Sequence, residues 1–150
     1  CSLKKYTDYG LRILMYLASR NDAKLTTIRE ICEVFDLSAN HVNKVVHHLG
    51  QLGLITTKRG KNGGFSLSKT PETIHLDYVI RQLEGDEPWI DCYSSYCVAV
   101  PACKLRGLIL RGKEQFYQYL HEYTVADLMS GSGAELATIF RQRLTTANAE

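Results

Sequence analysis

One thirty-residue run, "TTIREICEVFDLSANHVNKVVHHLGQLGLI" from Thr26 to Ile55, constrains this chain more than any other part of it. Ile28, Ile31, Cys32 and Phe35 fall at i, i+3, i+4 and i+7, and Val42, Val45, Val46 and Leu49 repeat that spacing. Both runs carry the period of an amphipathic helix. Only Asp36, Leu37 and Ser38 separate them, with Ser38 placed as the N-cap of the second helix. Two short amphipathic helices joined by so brief a turn predict a helix-turn-helix. Past Gly50 and Gly53 the period drops to two in "LITTKRGKNGGFSLS", around an Asn-Gly-Gly centre, which predicts a β-hairpin. Upstream, "TDYGLRILMYLASRN" predicts a first helix over about 7–19, with Leu11, Leu14, Met15 and Ala18 on its apolar face and Thr7 or Asp8 as its cap. The order helix, helix-turn-helix, hairpin is that of a winged helix, a mainly α fold with a small β-hairpin wing.

Downstream, "TIHLDYVIRQLEG" reads as a further helix ended by Gly85. "KLRGLILRGKEQFYQYLHEYTVADLM" predicts a long helix with an apolar stripe of Leu105, Leu108, Ile109, Phe116, Leu120 and Tyr123, weakened by Gly107 and Gly112. A long helix outside a small winged core is expected to pair with its copy in a homodimer. From Ser130, "SGSGAELATIF" reads as a flexible linker and the last twenty residues as a frayed tail. These features divide the chain into a winged helix-turn-helix DNA-binding domain (1–80), a cysteine-bearing loop (81–104), a dimerisation helix (105–130) and a flexible C-terminal tail (131–150). No internal repeat interrupts that order. The sequence has no run of eighteen apolar residues and no secretory pattern, so a soluble cytoplasmic protein without membrane contact is expected. Cys1 is assigned no function.

Charge is distributed unevenly along the chain. Residues 1–75 carry eleven Lys/Arg against six Asp/Glu, whereas residues 76–150 carry seven against ten. A basic first half suits a polyanionic partner. With its apolar set turned inward, the second helix of the motif leaves Ser38, Asn40, His41, Lys44 and His48 on or near its outer face, side chains suited to base edges and phosphates in a major groove. The wing tip "KRGKNGG" adds Lys58, Arg59, Lys61 and Asn62 on a glycine-rich loop, with Arg59 the candidate for groove insertion. Any amphipathic helix has a polar outer face and any hairpin tip is polar, so it is the combination that points to double-stranded DNA. His41, His47 and His48 read as solvated or phosphate-facing rather than as metal ligands.

Three of the five cysteines lie in "DCYSSYCVAVPAC", as Cys92, Cys97 and Cys103 in a C-x4-C-x5-C spacing. Structural zinc sites favour C-x2-C knuckles and four protein ligands. Wider spacing of soft thiolates suits an iron-sulfur cluster at least as well, and a zinc site or a direct thiol sensor remains open. Cys32 sits at an apolar helix position and reads as core. No nucleophile elbow, Walker loop or H-E-x-x-H motif occurs, which argues against an enzyme.

"YTDYGLRILMYLA", "SANHVNKVVHHLGQLGLI", "TKRGKNGGFSLS" and the cysteine segment, in that order, resemble the winged-helix iron-sulfur repressors over about residues 3–129. The resemblance is strongest to the nitric-oxide-sensing branch. It implies a homodimer that binds an imperfect palindrome in promoter DNA and represses transcription until nitric oxide reacts with a 4Fe-4S cluster. It also implies that Cys92, Cys97 and Cys103 hold that cluster, making 81–104 a cluster-binding loop, with Asp8 of the other subunit as the remaining ligand. Members with a 2Fe-2S cluster use a histidine shortly after the third cysteine, and "KLRGLIL" has none. The ordinary role of Asp8 would be to favour the helix N-terminus and to pair with Arg12 at i+4. An iron- or redox-responsive regulator is the nearest alternative function.

Overall fold

The computed structural model describes residues 3–20, 22–94 and 96–149; Cys1 lies outside them. Among the described residues seven α-helices and one hairpin follow one another: α1 (Lys5–Ser19), α2 (Ile28–Phe35), α3 (Ala39–Gln51), β1 (Ile55–Lys58), β2 (Gly64–Leu67), α4 (Leu76–Glu84), α5 (Leu105–His121), α6 (Val125–Met129) and α7 (Gly133–Ala149). The structure is mainly α with a two-stranded antiparallel sheet, as the periodicities require.

α1 is the central element, packed against α3, α4, α6, α7 and β2. It therefore buries more than one stripe: Ile13, Leu14, Tyr16 and Leu17 are in the core, whereas Leu11, Met15 and Ala18 are only partly covered. The helix begins at Lys5, with Lys4 at its N-cap and no side-chain cap. Neither expected cap serves: Thr7 is fully buried within the helix, and Asp8 sits in the first turn. α1 and α4 approach closely at Gly10, where a Cβ would lie 2.4 Å from Leu83 Cδ1.

The helix-turn-helix follows its sequence closely. Thr27 caps α2 by accepting from the Glu30 amide, and Asp36 ends it in the left-handed region at φ 54°. Ser38 caps α3, and Val42, Val45, Val46 and Leu49 are all buried. At about 1.5–3 kcal/mol for each fully buried aliphatic side chain, this face outweighs the weak helix propensity of valine. A second tie runs from α1 to α2 through polar groups: Tyr16 Oη donates to Glu30 at 2.9 Å, and Arg20 reaches the same carboxylate at 2.7 Å.

The wing pairs Ile55 with Leu67 through Lys58 with Gly64. Its turn is centred on Lys61 and Asn62, closed by the Gly63 amide donating to the Gly60 carbonyl at 2.9 Å, with Asn62 at φ 63°. β2 is also bridged to Thr26, whose amide and carbonyl both bond Phe65, at 2.9 and 2.8 Å. The wing is thus pinned to the body ahead of α2.

The C-terminal half departs from expectation in two places. The span 105–130 is two helices, because Thr124 pairs with His75 in a β-bridge and starts α6 with a Thr124–Asp127 capping box. The span 131–150, expected as a flexible tail, contains α7. Phe140 of α7 is buried, with its ring 5.5 Å from Tyr16 and 5.4 Å from Phe35. Leu136, Phe140 and Leu144 recur every four residues and close over α1 and α2. The Ser-Gly-Ser-Gly that precedes them is a turn, with Gly131 at φ 76°. No described helix is long and apolar enough to cross a membrane.

Candidate DNA interface and cysteine centre

α3 and the wing form one face. Ser38, Asn40, His41 and Lys44 are exposed on α3, and Arg59, Lys61 and Asn62 are exposed at the wing tip. Ser38 has a structural task as well, its Oγ accepting from the His41 amide at 3.4 Å. Between helix and wing runs a cleft of about 700 Å³ bordered by Asn43, His47, Gln51, Lys58 and Arg59. Asn43 was not among the sequence candidates for DNA contact, and His47 was read only as solvated or phosphate-facing. Their i, i+4 spacing places them on one side of α3, and only the position of the wing makes that side a wall of the cleft. His48 is half-buried rather than outward, its Nδ1 2.9 Å from Tyr6 Oη.

That last contact belongs to a short chain of links between α1 and the reading head. Tyr6 Oη also lies 3.3 Å from the Lys44 carbonyl, and Tyr9 packs its ring 6.2 Å from that of His41. Burial pushes the Tyr6 phenol above its ordinary pKa, so it remains a neutral hydrogen-bonding hydroxyl. Tyr6 and Tyr9 flank Asp8 in the first turn and a half of α1. Asp8 itself takes a bidentate contact from Arg12, at 3.0 and 2.7 Å, and keeps 47% of its side chain exposed. An exposed i, i+4 pair of this kind contributes about 0.3–0.5 kcal/mol, so the carboxylate is not committed to a structural role.

The cysteine loop starts where α4 ends. Gly85, at φ 84°, terminates that helix. Lys4, just ahead of α1, donates its backbone amide to Glu84 Oε1 at 2.6 Å and its ammonium to the Glu84 carbonyl at 2.9 Å. The next residues are moored to α5: Lys113 Nζ donates to the Glu87 carbonyl at 3.2 Å, and the Trp89 ring meets Phe116 edge-on at 5.6 Å. Asp91 then accepts the amides of Ser94 and Tyr93 and the Ser94 hydroxyl. Those amides, Ser94 first, hold its carboxyl below the ordinary carboxylate range, fixing a turn at Cys92.

Between Gly85 and Lys104 the described residues form no helix or strand. Cys92 is half-buried, Cys97 and Cys103 are exposed, and all are free thiols. Cys32 is a free thiol partly packed on the core, and burial raises its pKa, which keeps it protonated and inert. The donor set of the loop, three soft sulfurs on free cysteines, fits an iron-sulfur cluster, and Asp8, half-exposed in its pair with Arg12, offers a carboxylate oxygen donor. On α5, Leu105 and Leu108 lie one turn apart and are 50% and 57% exposed.

A winged helix-turn-helix with an exposed polar reading face defines a DNA-binding transcriptional regulator. Comparison with known proteins agrees and is more specific. The family model Rrf2, described as an iron-dependent transcriptional regulator, matches residues 3–131, and the chain belongs to the Rrf2 family. It is 40% identical over 130 residues to the HTH-type transcriptional regulator NsrR of Shouchella clausii, covering 85% of this chain and 87% of that one. It is likewise 40% identical over 139 residues to the NsrR of Oceanobacillus iheyensis, covering 91% and 95%. Among solved structures, CymR, the global cysteine regulator of B. subtilis, superposes with a TM-score of 0.69 at 27% identity, covering 87% of this chain and 97% of CymR. These relatives are regulators of transcription, and this protein is not an enzyme.

Proposed function

We propose that this protein is a homodimeric repressor that holds a 4Fe-4S cluster on Cys92, Cys97, Cys103 and Asp8 of the partner subunit, and that gives up promoter DNA in response to nitric oxide. The similarity to NsrR proteins supports the reading. One observation carries the mechanism: the turn of α1 that bears Asp8 also bears Tyr6 and Tyr9, which touch His48 and His41 of α3. When bound, the cluster supplies iron that nitric oxide can attack. A carboxylate is a harder and weaker ligand for that iron than thiolate, so Asp8 is the contact most readily given up.

With Asp8 engaged across the dimer, the first turn of α1 is held from both sides, by the partner's loop and by its own α3. Released, that turn can shift, and Tyr6 and Tyr9 pass the shift to the reading helix. Two reading helices must stand about 34 Å apart to enter successive major grooves, so a small rotation of each is enough to end tight binding. On the DNA, Ser38, Asn40, His41 and Lys44 would face the major groove, and Arg59, Lys61 and Asn62 would meet the backbone or the minor groove.

The test is an anaerobic absorption spectrum with iron and sulfide counts, repeated during nitric oxide titration while DNA binding is followed. About four iron and four sulfide per chain, lost in step with DNA release, is the expected result. Protein purified without oxygen that lacks a cluster yet binds DNA tightly would overturn the sensor and leave the winged helix standing. Zinc in place of iron would move the cysteines to a zinc site.

A further inference from the structure

We propose that His75, Asp77 and His121 form a second metal site, distinct from the cysteine loop, for a divalent first-row transition ion. One ligating atom of each lies within 4.8 Å of the other two. The three side chains come from opposite ends of the long C-terminal half: His75 is the N-cap position of α4, Asp77 is in its first turn, and His121 is the last residue of α5.

The backbone around them is fixed. The Leu76 amide donates to the Tyr123 carbonyl at 2.9 Å, and the Val125 amide to the Ile74 carbonyl at 2.9 Å, so the two helix ends are bridged before any ion arrives. Nδ1 of His75 lies 2.8 Å from the His121 carbonyl oxygen. A carbonyl only accepts, so this ring donates Nδ1–H, and its Nε2 carries the free lone pair. A histidine braced from behind by a backbone carbonyl, with its other nitrogen open, is the arrangement metal-bound imidazoles use. The rings of His75 and His121 stack 4.7 Å apart at 17°, so the exposed His121 ring turns out of the stack when both in-plane lone pairs meet at one ion.

Asp77 supplies an independent indication. Its Oδ2 is 3.1 Å from His121 Nδ1, but its Oδ1 is buried without a hydrogen-bond partner. A buried carboxylate oxygen left unpaired costs free energy that a bound cation would recover. Arg81 does not fill that role, since it lies 4.0 Å over the Tyr117 ring and 3.4 Å from Glu114. Access is open: the trio borders a pocket of about 360 Å³, and the His121 side chain is 65% exposed. Two imidazoles and one carboxylate suit Zn2+, Fe2+ or Co2+ and do not suit the all-oxygen preference of Ca2+ or Mg2+. Bound there, the ion would clasp the start of α4 to the end of α5.

Cobalt tests the site. The full chain with Cys92, Cys97 and Cys103 all changed to Ser removes the loop thiols as competitors, and the rest of the protein is unaltered. Titration with Co2+ should give one ion per chain with weak ligand-field absorption and no thiolate-to-cobalt charge transfer, and the melting temperature should rise because the folded state alone holds the trio. His121→Ala and Asp77→Asn, each in that background, should weaken binding by roughly tenfold or more, whereas Glu122→Gln, beside the trio, should not. His121 is exposed, so its loss leaves the core intact and keeps the comparison valid. An absence of binding at millimolar Co2+, or binding that survives His121→Ala unchanged, overturns the site. Neither result bears on the cluster, whose own test reads iron and sulfide on the cysteines.

Discussion

The reading head, residues 26–67, and the cysteine loop, residues 86–104, are ordered by different means. In the head, almost every feature is satisfied internally: helices are capped by Thr27 and Ser38, α3 seats four aliphatic side chains, and the wing is bridged to Thr26. In the loop, Lys113, Phe116 and the Asp91 turn hold residues 87–94, two local backbone turns follow between Cys97 and Ala102, and Cys97 and Cys103 are exposed. A segment that buries little apolar surface cannot offset its own conformational entropy. The head is therefore shaped by its own packing, whereas the loop rests on a few local contacts.

This contrast can be broken most directly at the loop. Cys97→Ser should abolish iron and acid-labile sulfide in anaerobically reconstituted protein while leaving the thermal melt nearly unchanged, since its side chain is exposed. A large drop in melting temperature would mean that the loop is part of the core after all. At the head the reverse is expected. Gly64 has φ 154°, and a Cβ there would lie 2.5 Å from the Thr26 carbonyl oxygen. Gly64→Val should cost about 2–4 kcal/mol by combining backbone strain with overpacking, read as a lower denaturant midpoint with cluster chemistry retained.

Smaller effects sharpen the contrast. Arg59→Ala should weaken DNA binding by about 1–2 kcal/mol, roughly tenfold, and reduce the salt dependence by about one counterion, without altering stability. Unchanged affinity would remove the wing from the interface. At Asp8, too, the expected effect on the fold is small. Asp8→Ala should change stability by no more than about 0.5 kcal/mol, yet shift the nitric oxide dose at which DNA is released. Release of the variant at the wild-type dose would show that Asp8 is not the trigger.

Legibility followed the same division. Within the head, local signals and tertiary demands coincide: the valine spacing, the Ser38 cap and the Asn-Gly turn each name a conformation that the packing then uses. The site was legible as residue types, three thiols and a carboxylate, but not as a connection. Tyr6 and Tyr9 looked like ordinary members of an amphipathic helix, and only the angle at which α1 crosses α3 turns them into the contact between Asp8 and the reading helix. α7 was hidden for a related reason. Its three apolar residues follow a Ser-Gly-Ser-Gly stretch whose composition signals a linker, and their worth depends on the Tyr16 and Phe35 rings waiting more than a hundred residues upstream.

Periodicity, caps and turn residues act over a few neighbouring positions, so the sequence by itself determined the helices of the reading head, the wing and the thiol spacing. Contacts between residues far apart in the chain depend on how whole elements pack. That packing alone decided that the turn of α1 bearing Asp8 touches α3, that a helix break at Thr124 brings His121 to His75 and Asp77, and that the last helix closes the core.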